Sequence, residues 1–146
     1  METAGPVDFY VFSEAALNTS SAPRSSLVHG WTGETAEVVT VQGEPLGKLL
    51  HEHVPKNVAA LDFMSIDIEG SEMAALRSND WEKFRPRVLI LEALGRTLMD
   101  LDSSPEVQFV RSMGFTPVSM LYNSVVFVSD KSLLEEHWSA EHRGEE

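Results

Sequence analysis

Cysteine is missing from the 146-residue chain, which removes disulfides, thiolate metal sites and cysteine nucleophiles. Basic residues are few: 11 Lys and Arg stand against 23 Asp and Glu, for a formal net charge of -12. Such a balance repels phosphate backbones and anionic membrane surfaces, so neither nucleic acid nor membrane is expected as a partner. No apolar stretch approaches the ~18 residues of a membrane span. The opening METAGPVDFYVF lacks a basic region followed by a long apolar run. No secretory signal is read there, and a cytoplasmic address is expected. Nine glycines occur without one Gly-x-Gly. The phosphate-loop, Gly-x-Ser-x-Gly and His-Glu-x-x-His patterns are absent as well.

What is present is enough for one domain of roughly 100–200 residues, and 42% hydrophobic content can build a core. We read a domain over residues 1–130 and an acidic tail over 131–146, where Glu135, Glu136, Glu141, Glu145 and Glu146 crowd together. Strands are predicted at Val7–Phe12 and Ala36–Gln42. The Ser- and Pro-rich stretch Asn18–Ser26 between them reads as a loop, as do His29 and Trp31. Pro45 opens a helix that stops before Pro55. His51 and His53 lie two apart on it and do not face each other, so no metal pair is expected.

Leu61–Ile68 is nearly all apolar, which predicts a strand buried on both faces, as in a parallel sheet. A short helix follows over Ser71–Ser78. Trp81 and Phe84 are expected under the next strand, Val88–Leu91, which ends in Glu92. Ser104 and Pro105 start another helix, and Gly114 stops it. Thr116–Leu121 and Ser124–Ser129 form a hairpin about Tyr122-Asn123. The tail from Lys131 has a weak helical pattern. Strands alternating with helices, closed by a hairpin, predict a mainly parallel α/β sheet ending in an antiparallel hairpin.

The candidate site lies where apolar strands end in acids. In an open parallel sheet, ligands sit outside the carboxyl ends of the strands. Asp67 and Glu69 stand two apart, so both side chains point to one side. Gly70 permits a sharp turn or a close backbone approach to a ligand. Glu92 ends the neighbouring strand. Such acids can hold a cation, orient hydroxyls or, in an apolar setting, act as a base. The competing reading is that they are solvated loop residues.

The run IDIEGSEMAALRSNDWEKFRPRVLILE resembles the core of the FkbM-type methyltransferases. The family's block appears as Asp67, Glu69, Gly70 and Glu72, then the Phe84-Arg85-Pro86 break and Glu92. GFTPVSMLYNSVVFVSD is similar to the family's closing hairpin. The resemblance implies a doubly wound, Rossmann-like methyltransferase fold. It implies S-adenosylmethionine as cofactor and a sugar or natural-product hydroxyl as methyl acceptor. It places Asp67 near both donor and acceptor, with Glu69 and Glu92 as further catalytic candidates and Gly70 beside the cofactor. No metal is implied. The family fold normally begins with a strand and glycine-rich turn, and no such unit precedes residue 61. The expectation is therefore a truncated domain, with something over roughly 60 residues missing and cofactor binding by this chain an open matter. Two other readings stand beside it. One is a non-catalytic remnant or interaction module that self-associates through an unpaired sheet edge. The other is a metal-dependent hydrolase using the three acids.

Overall fold

A computed structural model describes residues 3–93 and 97–130. The acidic tail, 131–146, lies outside the described residues. The chain divides into two units. The first holds the chain up to Val54 together with Asp67–Asn79; the second holds Pro55–Ile66 together with the chain from Asp80 onward.

In the first unit, β1 (Gly5–Val11) and β2 (Glu37–Gly43) pair antiparallel as a two-stranded ribbon, with Val7 opposite Val41 and Phe9 opposite Val39. Both strands fall where the alternation of apolar residues predicts them. Between them the predicted loop is instead a helix, α1 (Ala22–Thr32). Its start and stop are chemical. The Ser21 hydroxyl accepts from Arg24 N, a proline occupies the first turn, and Gly33 closes the end at φ 74 with its N–H on the His29 carbonyl. His29 and Trp31 therefore ride on a helix. α2 (Leu46–His53) follows Pro45, and its first N–H, on Leu46, donates to Ser78 Oγ at 2.9 Å. Ser78 ends α3 (Glu72–Ser78), whose buried residues are Ala75 and Leu76.

The second unit is built on β4 (Pro86–Glu92). The sheet order is β3-β4-β6-β5, where β3 is Leu61–Ile66, β5 is Phe115–Leu121 and β6 is Ser124–Ser129. β3 runs parallel to β4, with Phe63 opposite Val88; β6 runs antiparallel to it, with Leu89 opposite Phe127. The expected mixed α/β class, the parallel pair and the closing hairpin are all present. Among the described residues parallel pairing is confined to β3–β4, and the first two strands form their own ribbon. α4 (Pro105–Ser112) starts at a fully buried Ser104, which accepts from Val107 N. Leu89, Leu91, Val107, Val110, Val125 and Phe127 are fully buried, each contributing about 1.5–3 kcal/mol of burial.

One side chain pins three parts of this unit. Arg85 donates from Nη2 to the Gly114 carbonyl at 2.7 Å and from Nε to Ser129 Oγ at 3.3 Å. Its guanidinium also lies 4.5 Å from the centre of the Phe115 ring. Trp81 packs its ring against Phe109 of α4 and Phe115 of β5, the latter edge-on at 5.8 Å, while Phe84 is buried.

The strand expected to be covered on both faces is not. β3 is an edge strand, and Phe63 is 67% exposed. A continuous apolar run signals burial only where helices cover both faces, and here one face of β3 stays open at Phe63. No helix among the described residues is long and apolar enough to cross a membrane.

Candidate functional site

Ile66 ends β3, and the chain then makes a turn that regular structure cannot supply. Glu69 sits at φ 55 and Gly70 at φ 106, two left-handed residues in succession. Such a turn aims consecutive N–H groups inward, an arrangement that attracts an anion. This protein fills it with its own carboxylate. Glu72, the first residue of α3, accepts from Ile68 N at 3.1 Å and from Gly70 N at 3.0 Å. Glu72, which the sequence marks only as part of the motif block, thus closes the turn.

The turn is also held from a distant part of the sequence. Thr19 donates its hydroxyl to the Glu69 carbonyl oxygen. The Ser20 and Ser71 hydroxyls bond each other. Arg24, on α1, forms an ion pair with Glu69. A Cβ added at Gly70 would meet Ser21 Cβ at 2.7 Å. Gly70 is thus required twice, by its dihedral angle and by the approach of the Thr19–Ser21 segment.

The acids differ in what they have left to offer. Glu69 is part-buried, and burial pushes its carboxyl above the usual glutamate range. Arg24 pulls the other way, while Asp67 and Glu72 add to the rise. Asp67 is exposed and makes no hydrogen bond or ion pair among the described residues. Glu92 belongs to the second unit. It ends β4 opposite Ser124, and the next residue, Ala93, donates its N–H to the Asn123 carbonyl at 2.6 Å. Tyr122, in the hairpin loop, takes φ 54 and is 91% exposed.

Sequence reasoning placed Asp67, Glu69 and Gly70 at a strand end, and the structure puts them on this turn. It missed Thr19, Ser20 and Arg24, because they lay in a stretch read as loop. The available signal was the helix start itself: Ser21 as cap and a proline in the first turn, with Gly33 as the stop.

Comparison with known proteins returns one kind of match. The sequence model of the methyltransferase FkbM domain matches residues 3–116. No curated protein and no solved structure matches.

Two tests address the turn. Gly70→Ala should cost on the order of 2–4 kcal/mol in urea unfolding, from left-handed strain plus overlap with Ser21. A loss near 0.5 kcal/mol, as for a surface substitution, would show that the turn yields. For Glu69, a raised folded pKa means the native state holds the proton more readily than the unfolded chain. Its contribution to stability is present below about pH 4 and is lost as pH rises through the folded pKa. The stability of the protein relative to its Glu69→Gln variant should therefore fall over that window. The carboxyl midpoint, read by NMR, should move higher still in Arg24→Met; a midpoint unmoved by Arg24→Met would disprove the opposing pull.

Proposed function

This chain belongs to the FkbM methyltransferase domain family, and from that membership we propose that it serves methyl transfer to a hydroxyl oxygen of a small molecule, a sugar or similar natural product, with Asp67 as the residue that orients the acceptor. The observation that carries the reading is the division of labour among the acids. Glu72 is committed to the Ile68 and Gly70 N–H groups, and Glu69 to Arg24. Asp67 alone of these three has its carboxylate unengaged among the described residues.

Asp67 would accept a hydrogen bond from the acceptor hydroxyl and so fix the direction of an oxygen lone pair. The same carboxylate can take up the proton that the hydroxyl gives up. Glu69 and Glu92 are further acids of this chemistry, Glu69 also bracing the turn. The Arg24–Glu69 pair supports the role of Asp67 by fixing the backbone two residues away.

S-adenosylmethionine is the cofactor the family membership suggests. The described residues do not fit it on their own. No Gly-x-Gly turn joins a strand to a helix. In the left-handed turn after β3 the Ile68 and Gly70 N–H groups are satisfied by Glu72, and the space above Gly70 is taken by Ser21 and Thr19. No step is therefore assigned to the cofactor here. Isothermal titration of the chain with S-adenosylmethionine should show no binding tighter than millimolar; micromolar affinity would overturn that assignment. At millimolar cofactor with a panel of hydroxylated acceptors, Asp67→Asn should lower release of S-adenosylhomocysteine by about 100-fold or more. Equal turnover would remove Asp67 from the role.

A second reading, a non-catalytic module that associates through a sheet edge, is favoured by one observation: Phe63 stands exposed on edge strand β3. An unpaired strand with an apolar side chain invites a second strand. Sedimentation should then show mass rising with concentration, and Phe63→Ser should suppress it. A clean monomer at high concentration excludes this reading.

A further inference from the structure

The first unit carries an open cleft of about 340 Å³ between α1 and the β1–β2 ribbon. That volume lies within the ~300–1,000 Å³ of small-molecule sites. Its polar lining comes from Tyr10, Ser25, Ser26, His29 and Thr35, and its apolar surface from Ala36 and Val38. Among the described residues no Asp, Glu, Lys or Arg side chain lines it, in a chain where acids outnumber bases 23 to 11.

The hydrogen-bonding roles of these groups can be assigned. His29 Nδ1 lies 2.8 Å from the Glu34 carbonyl oxygen. A carbonyl only accepts, so Nδ1 carries the proton, and in the neutral ring Nε2 is left as an acceptor. Ser26 donates its hydroxyl to the Ala22 carbonyl at 3.1 Å, which commits its proton and leaves its lone pairs. The hydroxyls of Tyr10, Ser25 and Thr35 have no protein partner among the described residues, and each has a proton to give. The cleft thus mixes fixed acceptors with free donors around an apolar patch, Val38 being 54% exposed.

We propose that this cleft binds a neutral polyhydroxylated molecule the size of one sugar or cyclitol ring. Each hydroxyl of such a ring both donates and accepts, which matches the mixed lining, and its C–H face matches Val38 and Ala36. A cation finds no carboxylate in the lining, and an anion finds no guanidinium or ammonium. The site shares no residue with Asp67 and stands apart from the methyl-transfer reading.

The test is an NMR titration of the intact chain with myo-inositol and with methyl α-glucopyranoside, using inorganic phosphate and choline as charged controls. At least one polyol should give saturable shifts at Tyr10, Ser25, His29 and Thr35. Tyr10→Phe, which removes one hydroxyl, should weaken that binding about fivefold. Ala36→Leu, which fills the cleft, should abolish it, with melting temperatures of both variants held within a few degrees. Absence of saturable shifts with both polyols would overturn the proposal. So would tighter binding of phosphate or choline at the same residues. Unchanged affinity in Tyr10→Phe would overturn it too, and that variant alone decides the matter if Ala36→Leu fails to fold.

Discussion

The turn from Ile68 to Glu72 sets the terms for the candidate site. Glu69 in the left-handed region costs energy that ordinary loops avoid, while Gly70 takes its positive φ freely, and the chain offsets the cost locally. Glu72 satisfies the N–H groups the turn exposes, and Thr19 satisfies a carbonyl. The same device has a chemical side. An inward cluster of N–H groups is an anion site in many proteins; here it is satisfied from within. What remains available for chemistry is the acid that the turn displays and does not use, Asp67.

The second unit answers to a different constraint, the central position of β4. A strand paired on both sides and buried at Leu89 and Leu91 must enter and leave the sheet cleanly. Its entrance is fixed by Arg85, which ties the strand's start to the α4–β5 turn and the end of β6. Its exit is fixed by the Ala93 N–H on Asn123. Arg85, between Phe84 and Pro86 in the motif, has a structural reason to be arginine. Its planar fork reaches a carbonyl and a hydroxyl while its face covers an aromatic ring, and a lysine cannot do both.

Much of this was legible in the sequence. The apolar runs ending in acids, the Ser104-Pro105 helix start and the two-residue hairpin loop each carry a local physical signal, and each element lies within a few residues of its predicted place. The misses share a cause. α1 buries only Val28, so it has almost no apolar stripe for periodicity to detect, although its caps are explicit. The exposure of Phe63 depends on which strands flank β3, and composition does not carry that. The partners of Glu69 come from far along the chain, Thr19 being 50 residues away. Local pattern therefore gave the acids their place on the chain and withheld their partners, and it is the partners that separate Asp67 from Glu69.

The far side of the four-stranded sheet is β5, which carries Pro117 and a register shift between Pro117 and Ser119. A proline offers no amide hydrogen to an incoming neighbour, and the bulge twists the backbone out of line. Of the two margins of this sheet, the β5 side is thus poorly suited to a further strand.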